Sequence, residues 1–210
     1  MPQVILGPLY IICPADGKII FRARNGRVVT LNAMRIREAL HVENGVDEYY
    51  IRYDADDAEE YREFTARDAP KDAELVSLDP FELYSVFLGK CGVGGLVGLR
   101  RRAWFVLRWV VGLDCSGEFE DAVEEFVERG YDLWGLAWLV EGNVGEYYRR
   151  PCWWLAAVAV MYIRAYDYNA SAQVDCSSCL SIVRGRVSEF ARRRDPTAFR
   201  GIYLELMNAP

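Results

Sequence analysis

The run Asp79-Pro80-Phe81-Glu82 divides this chain in two. A short carboxylate at the cap position, a proline at the first helical position and a glutamate three residues after the cap together mark a helix start. Everything beyond it is written in helix grammar. Phe119, Val123, Phe126 and Val127 recur at helical spacing with Gly130 placed to end that helix, and Leu180, Val183, Val187 and Phe190 repeat the pattern until Asp195-Pro196 stops it. Residues 100–111, 132–140 and 152–166 are apolar enough to be interior helices, so roughly five to seven helices are expected after residue 79.

Before that point the grammar is that of strands. Residues 18–24 (KIIFRAR) and 27–31 (RVVTL) flank Asn25-Gly26, a turn pair that tolerates the positive φ angles of a tight hairpin. Asn32 is placed to cap a short helix running to about Leu40, with Met34, Ile36 and Leu40 as its apolar contacts. Residues 48–53 (EYYIRY) read as another strand. The polar stretch 68–74, which contains Pro70, is the expected connection. The fold class predicted from these patterns is α+β: a small hairpin-containing unit over residues 1–70, a linker over 71–78 and a predominantly α-helical domain over 79–210.

Charge follows the same division. Residues 1–89 hold 10 basic and 16 acidic side chains, whereas residues 90–210 hold 15 of each. The acidity concentrates in residues 43–82, with 14 carboxylates against Arg52, Arg62, Arg67 and Lys71. A field of one sign steers partners of the opposite sign. Glu43, Asp54, Asp56, Asp57, Glu59 and Glu60 are the residues expected to meet a protein partner with a basic surface. The same Asp54, Asp56 and Asp57, following a strand, have the character of a divalent-cation loop, for which magnesium is the natural occupant; a solvated acidic loop is the plainer account.

A net charge of −6 argues against a protein that wraps nucleic acid with its whole surface. Local faces are a separate matter: Arg100, Arg101 and Arg102, then Arg149 and Arg150, then Arg192, Arg193 and Arg194 cluster in sequence, with Tyr147, Tyr148, Trp153 and Trp154 near the second group. Arginine beside aromatic rings can hold single strands by charge and stacking. Helix-end arginines paired with carboxylates, and aromatics in the core, are the competing account.

Of 25 basic residues 22 are arginine, glutamine occurs twice and histidine once, at His41. Few thermolabile amides fit a heat-adapted protein, and the arginine excess fits a GC-rich genome equally well. The expected source is a thermophilic archaeon or its virus. Intracellular disulfides are common in hyperthermophiles, so Cys13, Cys91, Cys115, Cys152, Cys176 and Cys179 are all disulfide candidates in a protein expected inside the cell, cytoplasmic or virion-associated. No secretory leader is read in the opening residues, and the apolar stretches are broken by charges and glycines or are too short to span a bilayer, so no membrane partner is expected.

Cys176-Ser177-Ser178-Cys179 is the one paired-cysteine motif. At a helix start it has three readings: a redox dithiol activated by the helix dipole, a structural disulfide, or half of a zinc site lacking its other ligands. The glycine-rich run 89–98 fails the phosphate-loop pattern, because Cys91 follows Lys90 and the glycines come afterwards, and it fails the dinucleotide spacing too. It reads as a connection between helices. His41 reads as a capping or surface residue. No cofactor is expected, and no constellation reaches catalytic grade.

The segments LYIICPADG (residues 9–17) and LAWLVEG (residues 136–142) resemble the paired motifs of LAGLIDADG homing endonucleases. The resemblance implies two packed helices ending in a metal-binding acidic pair, which here would be Asp16 and Glu141, and a magnesium-dependent nuclease. Two functions therefore stand: a non-enzymatic interaction or assembly protein and, as the alternative, a nucleic-acid-binding or nuclease-like protein.

Overall fold

The computed structural model describes residues 2–5, 10–15, 17–22, 28–32, 36–42, 48–54, 74–76, 79–171 and 176–209, with side-chain environments for 17–19, 79–171 and 176–209. The chain forms two compact units, residues 1–94 and residues 95–210.

In the first unit the backbone runs through β1 (Pro2–Ile5), β2 (Tyr10–Ala15), β3 (Lys18–Arg22), β4 (Val28–Asn32), β5 (Ile36–Val42), β6 (Glu48–Asp54) and β7 (Glu74–Val76) to α1 (Pro80–Lys90). The strands pair antiparallel in the orders β1-β6-β5-β7 and β2-β3-β4. The Asn25-Gly26 turn lies outside the described residues, as do residues 71–73 and 77–78 of the expected linker. The short helix expected from Asn32 to Leu40 is not formed. That stretch contributes β5, whose His41 stands in register with Tyr49 of β6 and Glu74 of β7. An isolated helix so short gains little for its costly nucleus, whereas pairing on both sides satisfies the amides and carbonyls of the same residues.

The expected α+β class is overturned by where the packing lies. Of the residues whose side chains are placed, 77% are helical. Apart from Ile19, every buried apolar side chain among them comes from residues beyond Asp79. The fold is predominantly helical. Its first helix starts as the cap run requires: Asp79 Oδ1 accepts from the Glu82 amide at 2.8 Å, and the Asp79 amide donates back to Glu82 Oε2 at 3.2 Å. α1 packs against β2 and buries Phe81, Leu83, Tyr84, Phe87 and Leu88. After α1 the glycine-rich run turns, with Gly92 at φ +65° and Gly95 at φ +58°, angles that a side chain would strain.

The second unit contains α2 (Gly95–Phe105), a π-helical turn (Val106–Val111), α3 (Glu118–Glu128), α4 (Leu133–Gly142), α5 (Glu146–Arg149), α6 (Pro151–Ala170), α7 (Ser177–Arg193), a 3-10 turn (Pro196–Phe199) and α8 (Ile202–Met207). The described residues thus hold eight α-helices, more than the sequence pattern called for, because α5 and α8 are too short to display helical periodicity. α6 is the hub. Every side chain from Trp154 to Ile163 is buried, and α2, α3, α4, α5 and α7 all pack on it. A helix apolar all round must be surrounded, and its alanines, Ala156, Ala157 and Ala159, give its neighbours close approach. α3 and α7 meet it with single apolar faces, Phe119, Val123 and Phe126 on one and Leu180, Val183, Val187 and Phe190 on the other. Among the described residues no helix is long and apolar enough to cross a membrane.

Candidate functional site

The arginines define the chemistry of the second unit. Arg102 on α2 makes a two-pronged contact with Asp167 on α6, Nη2 to Oδ1 at 2.5 Å and Nη1 to Oδ2 at 3.3 Å, and its guanidinium lies 5.5 Å from the Tyr166 ring centre. Arg100 is paired with Glu124 on α3. These two pairs pin α2 to α6 and α3, a use in which the fork of arginine matches a carboxylate. In the second cluster Arg149 sits 3.6 Å from Glu146 and Arg150 lies over Trp153 at 5.8 Å. In the third, Arg193 pairs with Glu189 at 3.2 Å and Arg192 is exposed.

Arg102 is tied to Asp167 and Arg150 to Trp153, positions separated along α6 by about 21 Å. The second and third clusters share an end of the unit, where Tyr147 meets the Phe190 ring edge-on at 5.5 Å. Tyr147 and Trp154 belong to the aromatic packing around α6, so they are not stacking platforms for bases.

Arg194 does something the sequence does not announce. It ends α7 in the left-handed region at φ +54°, and its guanidinium donates from Nη1 to the Val111 carbonyl at 2.6 Å and from Nη2 to the Gly112 carbonyl at 3.0 Å. The π-helical turn leaves these carbonyls without helical partners, and Arg194 satisfies them. Arg194→Ala is expected to cost about 1.5–2.5 kcal/mol, and Arg194→Gly about 1 kcal/mol less than that because glycine adopts the left-handed backbone freely. Urea denaturation of both variants reads the difference. Beside it the Asp195 carboxyl is held below the ordinary carboxylate range, first by the Thr197 hydroxyl and then by the Thr197 amide, which donates to Oδ1 at 2.9 Å.

Glu141, half of the acidic pair implied by the endonuclease resemblance, is engaged inside the unit. Its Oε1 accepts from the Gly201 amide at 3.0 Å and its Oε2 from the Tyr203 amide at 3.2 Å, so it neutralises the N-terminus of α8. Asp16 lies outside the described residues. Residues 136–142 are in α4, but residues 10–15 form strand β2 and not the helix that the resemblance implies. Among the described residues no group of three or more His, Cys, Asp or Glu side chains is placed to hold a metal ion.

Cys176 and Cys179 are joined in a disulfide at the start of α7, with both residues buried at 4% and 1% exposure. A sulfur so enclosed is held from exchange partners, which favours the structural reading of the motif over the redox and zinc readings. Cys115 and Cys152 are free thiols of intermediate exposure, Cys91 follows α1 at intermediate exposure, and Cys13 lies on β2. Of the acidic residues expected to meet a partner, Asp54 ends β6 opposite Pro2, whereas Glu43, Asp56, Asp57, Glu59 and Glu60 lie outside the described residues. An open groove of about 340 Å³ beside α7 and α8 is lined by Ser181, Ile182, Gly185, Arg186, Glu189 and Glu205, and Arg186 is paired with both of its carboxylates.

Sequence reading alone passed over Asp167, Tyr162, Trp138, Leu204 and Met207. A signal existed for the first: one carboxylate in the long apolar run of α6 requires a partner, since ionised groups are seldom enclosed alone. Trp138, Leu204 and Met207 are 63%, 61% and 56% exposed. No family model, curated protein or solved structure matches the chain.

Proposed function

We propose that this chain is a non-enzymatic interaction or assembly protein of a heat-adapted archaeon or its virus, acting inside the cell or in the virion, and that its partner is a protein with a basic surface. The observation that carries the reading is the exposure of Trp138 on α4 and of Leu204 and Met207 on α8, two helices that pack on each other. Tryptophan and methionine left in water on packed helices are the residue types that protein interfaces enrich. The carboxylates of residues 43–82 supply the sign of the partner, because charge of one sign speeds encounter with its opposite and repels its like. The internal engagement of Glu141 and of Arg100, Arg102 and Arg194 supports this reading over the nuclease alternative.

The test is recovery of a partner from host extract with the full chain as bait. Charge reversal at Asp54, Asp56, Asp57, Glu59 and Glu60 is expected to reduce recovery several-fold, with the greatest loss at low ionic strength, where screening is least. Trp138→Ala is expected to reduce recovery at every ionic strength, since apolar contact is not screened. Unchanged recovery with both variants sinks the interaction reading. A magnesium-dependent nicking activity on duplex DNA, lost on Asp16→Asn, replaces it with the nuclease; Asp16 is the diagnostic position because Glu141 also holds α8.

A further inference from the structure

We propose that the end of the second unit where α5 meets α7 is a binding face for single-stranded nucleic acid, with the Tyr148 ring as the platform for a base and Arg149, Arg150, Arg192 and Arg193 as contacts to the phosphates. Ring packing brings the segments together. The Tyr147 ring centre lies 5.5 Å from that of Phe190, and the Phe190 ring centre lies 5.8 Å from that of Phe199. The residues that follow each ring, Arg149 and Arg150, Arg192 to Arg194, and Arg200, therefore leave the aromatic core at one end of the unit. The connection before α3 crosses the same end: Arg194 holds its Gly112 carbonyl, and its Ser116 hydroxyl stands 4.0 Å from Cys152 Sγ in the first turn of α6. This face shares no residue with the α4 and α8 surface assigned to a protein partner, so the inference goes beyond that reading.

Residues 146–150 and 189–200 carry six arginines against Glu146, Glu189 and Asp195, an excess of three positive charges, although residues 90–210 as a whole hold 15 of each sign. Helix ends do not call for so much: a helix C-terminus carries about half a negative charge, and α5, at four residues, has little of it. The arginines are also open to solvent. Arg149 is 80% exposed and 3.6 Å from Glu146, Arg193 pairs with Glu189 at 3.2 Å on the surface, Arg150 rests on the Trp153 ring, and Arg192 is exposed. Tyr148, immediately before Arg149, is 73% exposed, and the Tyr147 ring stands at 79° to it and is not stacked on it. An exposed ring beside several guanidinium groups suits an unpaired base and its phosphates, because every base has a face to stack and the arginine fork matches phosphate oxygens. In a duplex the bases stack on one another and offer Tyr148 no face. An acidic polypeptide satisfies the arginines and leaves the ring unused.

The experiment titrates the full chain into a fluorescein-labelled oligothymidylate of about twenty bases and follows fluorescence anisotropy over a range of salt concentrations. The expected result is saturable binding whose log affinity falls against log salt with a slope of about −2 to −3, as contact with three or four phosphates requires. Tyr148→Ala is expected to weaken binding about tenfold at every salt concentration, and Tyr148→Phe, which keeps the ring, by no more than about twofold. Arg192→Gln combined with Arg193→Gln is expected to flatten the slope by about 1.4. Arg101→Gln, in the first cluster beside the Arg102–Asp167 pair, is expected to change neither. Unlabelled oligothymidylate displaces the probe, whereas the matching duplex and polyglutamate at equal charge are expected to be at least about tenfold weaker competitors. No binding by the wild-type chain, or competition by duplex or polyglutamate equal to that of the single strand, overturns the proposal without reference to the folding of any variant. Full affinity in Tyr148→Ala, or an equal loss in Arg101→Gln, overturns the assignment of the face.

Discussion

Replacing Trp154 by alanine is expected to destabilise the protein by about 3–5 kcal/mol, the largest effect of any single substitution considered for this chain. Trp154 is fully buried in the first turns of α6, with its ring centre 5.1 Å from that of Phe199, 5.4 Å from that of Phe190 and 5.4 Å from that of Tyr147. It joins α5, α6, α7 and the 3-10 turn in one aromatic cluster. Its indole Nε1 also donates to the Val140 carbonyl at 3.3 Å, which ties the end of α4 to the hub. Alanine removes the ring contacts, opens a cavity and leaves that carbonyl without its indole partner. Trp154→Phe keeps most of the apolar contact and loses the hydrogen bond, so its expected cost is smaller, about 1–2 kcal/mol. Urea denaturation followed by far-ultraviolet circular dichroism measures both. A cost below about 1 kcal/mol for the alanine variant would show that α6 is not the packing centre of its unit.

The second expected result is a loss of about 2–3 kcal/mol in Glu141→Ala. Two backbone N–H groups at the start of α8, those of Gly201 and Tyr203, donate to this one carboxylate, and both bonds are part-buried. Without it the amides face the interior unpaired and α8 loses the negative charge that complements its N-terminal dipole. Glu141→Gln retains one acceptor oxygen but turns an NH2 group toward the other amide, so it recovers at most about half of the loss. A metal-binding Glu141 behaves in the opposite way, since removing an acidic metal ligand relieves repulsion and costs activity, not stability. Equal denaturation midpoints for Glu141→Ala and the wild type would remove the capping role.

Local patterns sufficed wherever a residue's environment depends on its near neighbours. The capping run at Asp79 forms because cap, proline and Glu82 lie within one turn. The faces of α3 and α7 are buried at Phe119, Val123 and Phe126, with Val127 half-buried beside them, and at Leu180, Val183, Val187 and Phe190, because a 3.6-residue period is a property of the segment itself. The apolar run that became α6 announced an interior helix for the same reason. Residues 36–42 mark the limit. Their spacing suits a short helix as well as a strand, and the choice fell to β6 and β7, which supply hydrogen bonds that the segment cannot see from within.

The chemistry of the site was decided at longer range. An arginine in a cluster has the same sequence signature whether it faces a nucleic acid or a carboxylate, and the partners of Arg100, Arg102 and Arg194 lie 24, 65 and 83 positions away. Glu141 ends an apolar helix in either reading, and the amides of Gly201 and Tyr203, 60 positions or more downstream, made it a cap. By itself, then, the sequence determined the helix start at Asp79, the buried faces of α3, α6 and α7 and the strongly acidic segment 43–82, because these follow from adjacent covalent neighbours. Only the tertiary structure decided that the fold is predominantly helical and that Arg100, Arg102, Arg194 and Glu141 are engaged internally, because a hydrogen-bond or ion-pair partner is set by contact in space and not by position along the chain.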